Sequence, residues 1–244
     1  MKKSIVAVAA GAVILGLSFQ ATAGIANTKH NMSSTDNVAV GGLVGVTGVA
    51  NVIYSTDNPE ICIYCHTPHD AIKNDSIPLW NHQLSTVGTG NYEVYTSPTL
   101  DATPTDLGAS NNAADATVSN LCLSCHDGTV AINSINNPSN GNPTITMIGV
   151  NADGEIPDTF KTSLYSSDNT LKNDHPVNFD YSDAADLDSG LHPEATAVAG
   201  GMKFFNGSMQ CSSCHNPHND NPDEQPFLRA SINGSALCLV CHNK

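Results

Sequence analysis

Four five-residue runs carry the chemistry of this sequence: Cys62-Ile63-Tyr64-Cys65-His66, Cys122-Leu123-Ser124-Cys125-His126, Cys211-Ser212-Ser213-Cys214-His215 and Cys238-Leu239-Val240-Cys241-His242. They use all eight cysteines and four of the ten histidines. Two thiols at this spacing add across the two vinyl groups of one porphyrin, and the histidine that follows then stands beneath the iron. Zinc ribbons also use Cys-x-x-Cys pairs, two to an ion, but zinc gives no reason for a histidine after every pair. Disulfides suit an oxidising compartment and thioredoxin-like pairs a βαβ context; neither needs that histidine. Four covalently attached haems c are therefore expected, with His66, His126, His215 and His242 as the proximal iron ligands.

The second axial position draws on the remaining histidines, His30, His69, His82, His175, His192 and His218, on methionine, or stays open. Met32, Met147, Met202 and Met209 read better as core fillers. His69 and His218 each stand three residues past a proximal histidine whose ring is committed to its own iron, so they are directed outward, toward a neighbouring haem. His175 lies in Asp174-His175-Pro176-Val177, where the Asp174 carboxylate is expected to hydrogen-bond the ligating ring and raise its basicity. His30 follows Lys29 and His82 follows Trp80-Asn81, and both are candidates. His192, ahead of Pro193 in a glycine-rich acidic stretch, reads as a bystander. Six histidines for four positions favour two histidines on every iron, which leaves no vacancy for a substrate. That points to an electron carrier rather than an enzyme, since the haem supplies the redox chemistry and the chain positions and tunes it. A small reductase with one open haem is the alternative.

The rest of the chain has to present these groups. Met1-Lys2-Lys3, an apolar run from Ile5 to Phe19 and the exit Ala21-Thr22-Ala23 read as a secretory signal peptide over residues 1–23. The run is shorter than the ~20 residues a membrane span needs. Residues 24–244 are then one tetrahaem domain, with a closely spaced motif pair at 211–242, secreted through the periplasm to the outer surface or beyond. Loss of Lys2 and Lys3 takes the formal charge from −14 to −16, a balance that excludes nucleic acid as a partner. Aromatic residues make up only 5% of the chain and Trp80 is its one tryptophan, so porphyrins must supply buried surface that the side chains do not. Mostly coil is expected, with several short α-helices and minimal β-structure. Short helical turns are expected within 118–132, 207–216 and 232–243. Segment 38–54 reads as a strand pair or loop, and 101–117 and 133–144 as loops. The acidic stretch from Asp174 to Asp188 reads as a solvated loop rather than a calcium site.

Further stretches carry a resemblance: GIANTKHN from Gly24, CIYCHTPH from Cys62, PLWNH from Pro78, LCLSCHDGT from Leu121, DHPVNF from Asp174, CSSCHNPHN from Cys211, and FLR followed by LCLVCH. Together they resemble multihaem c-type cytochromes with doubled CXXCH motifs. Within that family they are similar to tetrahaem outer-membrane cytochromes of metal-reducing bacteria that polymerise into conductive extracellular filaments. The resemblance implies a polypeptide wrapped around a chain of four stacked haems, each iron held by two histidines. It ranks His30, His69, His175 and His218 as distal ligands, with His82 fifth. It further implies a homopolymer in which one protomer lends an axial histidine, here His69, to a haem of the next. Other redox cytochromes and external acceptors such as metal oxides would be the partners. The implied function is extracellular electron transfer, with a monomeric periplasmic or surface carrier as the alternative.

Overall fold

The structure is a computed structural model and describes residues 24–34, 53–72, 79–85, 87, 92–105, 107, 117–138, 144–159, 170–221, 224 and 227–243. The signal peptide expected over 1–23 and nearly all of segment 38–54 lie outside these residues. So do the centres of the two expected loops, 108–116 and 139–143.

Coil predominates, as composition suggested, because few segments offer an apolar stripe long enough to hold a helix by packing. The helices are α1 (Val118–His126), α2 (Tyr181–Leu187), α3 (Glu194–Ala199), α4 (Cys211–Cys214) and α5 (Ala236–Cys241), with 3₁₀ turns at Gly24–Asn27 and Asn233–Ser235. Strands are two residues each: β1 (Tyr54–Ser55), β2 (Glu93–Val94), β3 (Met147–Ile148), β4 (Thr170–Leu171), β5 (Phe179–Asp180) and β6 (Ser208–Met209). They pair as antiparallel β1 with β3, parallel β2 with β4 and antiparallel β5 with β6. Such clips fasten distant loops to one another without building a sheet. Among the described residues no helix is long and apolar enough to cross a membrane.

The acidic stretch departs from expectation. Asp180 accepts a hydrogen bond from the Asp183 amide at 3.0 Å and caps α2, whose Tyr181 and Ala184 turn inward. An aspartate cap at a helix start satisfies an otherwise orphaned amide, so acidity here marks a helix entry.

Apolar burial is divided into small clusters rather than one core. Phe179, Tyr181, Ala184, Ala197, Met202, Met209 and Cys241 form one, with Cys214 packed against it. Met32, Ile63, Tyr64, Ile132, Ile145 and Ile156 form another, against which Cys65 and Cys125 pack. Tyr92, Leu107, Leu123 and Leu171 make a third, and Trp80, Leu84 and Leu121 a fourth that also touches Cys65. Cys241 thus belongs to one cluster, and Cys65, Cys125 and Cys214 pack against the clusters from outside.

Candidate haem-binding site

Each motif closes on itself by the same bond: the histidine amide donates to the carbonyl of the first cysteine. The bond runs from His66 to Cys62 at 2.8 Å, from His215 to Cys211 at 3.1 Å and from His242 to Cys238 at 2.9 Å. The second motif is the C-terminal turn of α1. The three motifs expected on helical turns are indeed α1, α4 and α5, and the first is a single turn.

Long-range bonds then fix the first, third and fourth turns, and a local one closes the helix that carries the second. Asn81, fully buried, donates its amide to the Cys65 carbonyl (2.9 Å) and its side chain to the Ile63 carbonyl (2.7 Å), gripping the first motif. At the second, the Asn120 Oδ1 accepts from the Thr117 amide at 2.7 Å and closes the start of α1. Arg229 holds the third with its amide on the Cys214 carbonyl and its Nε on the Ser212 carbonyl, both 2.8 Å. The His192 amide donates to the Cys241 carbonyl at 2.7 Å and the Tyr181 hydroxyl to the His192 carbonyl at 2.8 Å. His192, read as a bystander, therefore anchors the fourth motif through its backbone. No residue-type signal could have revealed that, because any backbone supplies an amide.

Three motif histidines face a second imidazole. His66 faces His218 with ring centroids 6.2 Å apart, His126 faces His30 at 6.2 Å, and His242 faces His175 at 6.4 Å. With metal–nitrogen bonds of about 2 Å and ring nitrogens about 1.1 Å from the ring centre, imidazoles on opposite sides of one iron have centroids about 6.2 Å apart. The interplanar angles of 17°, 74° and 66° are compatible, since each ring turns freely about its own metal–nitrogen axis.

The three facing non-motif rings differ in their surroundings. His175 has its Nδ1 2.8 Å from the Pro176 carbonyl, which fixes the proton on Nδ1 and leaves Nε2 with its lone pair. The expected Asp174 partner does not fill this role; burial raises the Asp174 carboxyl instead. His30 lies flat on the Phe227 ring at 4.4 Å and is bonded to the Pro217 backbone. Burial, with His126 alongside, lowers its pKa to about 4, so the ring is neutral as a ligand must be. His218 is exposed, and what burial it has, together with His66, lowers its pKa.

His69 and His82 differ from these. His69 is exposed, and its carbonyl is held by the Thr67 hydroxyl (2.8 Å) and the Asn137 side-chain amide (2.9 Å). His82 is fully buried, with Nδ1 2.8 Å from the Gln83 carbonyl and Nε2 3.1 Å from the Ala131 carbonyl. Both nitrogens of that ring are turned to backbone oxygens.

The sulfurs approach across motifs. Burial, with Cys125 close by, holds the Cys65 thiol up at about 12, and burial holds Cys125 up at about 12. Cys122 and Cys211 hydrogen-bond to each other, which raises the first and lowers the second. Burial and the neighbouring Cys241 push Cys214 up to about 11. Cys65, Cys125 and Cys214 are thus neutral thiols, and the motif sulfurs would become thioethers on haem attachment.

The donor set fits haem. Among the described residues, which include every cysteine and histidine, no three His, Cys, Asp or Glu side chains converge on one point as a structural zinc ion would require. Imidazoles instead meet two by two, as axial ligation needs. Trp80 Nε1 and Asn120 Nδ2 are buried donors with no protein partner, the first beside His66 and the second two residues before Cys122. Buried orphans of this kind are costly, and the acidic groups of a bound porphyrin are acceptors that would satisfy them.

Residues 204–244 match the family model described as the doubled CXXCH motif. That match, with the two earlier motifs, supports a multihaem c-type cytochrome-like protein with covalently bound haem c. No curated protein matches the chain.

Proposed function

We propose that the chain binds four haems, each iron between two imidazoles, and serves as an electron carrier rather than an enzyme. The observation that carries this reading is the pairing of motif and non-motif histidines at 6.2, 6.2 and 6.4 Å. Cys62 and Cys65, Cys122 and Cys125, Cys211 and Cys214, and Cys238 and Cys241 hold the porphyrins. His218, His30 and His175 are distal to His66, His126 and His242, and His82 stays outside the ligand set as a buried tie between two carbonyls. The bound haems supply one-electron chemistry between ferric and ferrous iron. The chain's own residues hold the rings in facing pairs, and burial keeps His30 neutral.

The family resemblance extends this proposal to secretion through the periplasm and to assembly. His69, exposed on a loop braced by Thr67 and Asn137, is the ligand that one copy lends to a haem of the next. The resulting filament carries electrons to other cytochromes or to external acceptors such as metal oxides. A monomeric carrier is the second reading; the intrachain ligand pairs favour it, since they need no partner copy.

Mass spectrometry and ferric electron paramagnetic resonance of the mature protein test the central claim. Four covalent haems, no free thiol and low-spin iron at the paired sites are expected. Fewer than four haems in fully matured protein would defeat it.

A further inference from the structure

The third motif and the three residues after it do more than hold one haem. Within the eight residues from Cys211 to His218, a side chain reaches each of the other three sites. The Cys211 thiol hydrogen-bonds to Cys122 of the second motif, while the Cys211 amide donates to the Ser119 hydroxyl on α1 at 3.0 Å. Cys214 packs on the apolar cluster that contains Cys241 of the fourth motif. The His218 ring stands 6.2 Å from that of His66 in the first. Pro217 adds a tie to the second site through its bond to His30, the ring that faces His126.

We propose that residues 211–218 are a junction that makes the haem they carry the neighbour of all three others, and the nearest neighbour of the haem on Cys238 and Cys241. This inference rests on the haem-binding reading above. The physical argument has two parts. First, three peptide units span at most about 10 Å, so imidazoles at His215 and His218 bind two irons that a single short strap holds together. Second, a thioether sulfur is bonded to the porphyrin edge, so sulfurs that meet bring ring edges together. Cys122 with Cys211 thereby places the third porphyrin edge-on to the second, and Cys214, packed on the cluster of Cys241, sets it beside the fourth. Among the described residues, α5 packs on α3, on the 3₁₀ turn before it and on the cluster around Tyr181. The motif cysteines of that cluster are Cys214 and Cys241, so the fourth site meets the third there.

The junction is tested on the holoprotein by cryo-electron microscopy or crystallography of the wild type and of His218→Ala. In the wild type the iron nearest to the Cys238/Cys241 haem should belong to the Cys211/Cys214 haem, and His218 should bind the iron above His66. In the variant, four haems should remain attached and one iron should turn high-spin and bind cyanide, the cyanide appearing on the Cys62/Cys65 haem. If the fourth iron lies nearest to the first or second, or cyanide appears on the Cys211/Cys214 haem, the junction is wrong. The wild-type distances decide the matter even if the variant fails to mature. Fewer than four haems would instead overturn the haem-binding reading, so the two failures are distinguishable.

Discussion

Asp127 follows His126 directly and is 1% exposed, which is unusual for a carboxylate that meets no cation there. Four donors converge on it. The Tyr92 hydroxyl lies 2.6 Å from Oδ2, the Ser85 hydroxyl shares that oxygen, and the Thr129 amide and hydroxyl each reach Oδ1 at 2.9 Å. Hydrogen bonds to a charged group are each worth about twice a neutral one, so the network pins the exit from α1 and with it the His126 ring. Asp127→Asn keeps the shape but turns an amide nitrogen toward donors. It should lower the stability of the holoprotein by about 2–3 kcal/mol, read as a shift of the denaturant midpoint. A midpoint unchanged from wild type would show that the network contributes nothing. The motif histidines were legible at this scale as candidate ligands because the attachment chemistry places them next to the cysteines. His30, His175 and His218 were legible only as candidates. Which motif each would face was not, since the partners are far apart in sequence and residue type carries no distance. Asp127 was invisible for a related reason: nothing in Cys-His-Asp says that Tyr92 and Ser85 will arrive to bury it.

Among the elements, α1 and α4 are joined by one polar knot. The Ser119 hydroxyl donates to Gln210 Oε1 at 2.6 Å, the Ser119 amide donates to the same oxygen at 3.2 Å, and Gln210 Nε2 donates to Asn178 Oδ1 at 2.8 Å. Ser119 and Gln210 are buried, so each group depends on the others. Removing the glutamine leaves two donors and an acceptor without partners, each unsatisfied buried group costing about 1–3 kcal/mol before water or rearrangement offsets part of it. Gln210→Ala is therefore expected to destabilise the holoprotein by about 2–4 kcal/mol, with four haems still attached by mass because no ligand or cysteine is touched. A wild-type denaturation midpoint would mean that the porphyrins alone hold the two motifs together. Helices at the motifs could be read in advance, since Cys-x-x-Cys-His needs a turn to bring its three ligating groups to one face. The helix α2 was missed because Asp180 and Asp183 were weighed as solvated charges. The cap signal, an aspartate three residues ahead of a second one, with Tyr181 and Ala184 three apart at helical spacing beside them, was present in the residues. The two-residue strands had no signal at all, being shorter than one period of alternation.

At the scale of the whole molecule, apolar burial among the described residues is divided: one cluster is assembled around Tyr181 and the fourth motif, and another gathers around Tyr64 between the first and second. Composition announced this division, because a chain with so few aromatics cannot fill a large interior; it could not announce how the clusters would be arranged. Ring pairings within the chain set His30, His175 and His218 opposite motif histidines, and His69 is the remaining member of the ranked four. Its exposure is not that of a loose loop: the Thr67 hydroxyl and the Asn137 amide both grip its carbonyl, and Asp70 beyond it adopts φ 55°. A side chain held outward on a fixed backbone loses little freedom when it binds, which is what a ligand offered to another molecule needs. A metal bond formed in that way would tie assembly to ligation, so that copies join only where an imidazole completes an iron. His69→Ala should then abolish filaments seen by electron microscopy, leave four haems attached, and convert one iron to high spin in material that still expresses and matures. Filaments that persist in the variant with every iron low-spin would remove His69 from the interface, whereas a wild-type protein that forms none would leave the monomeric carrier as the better reading.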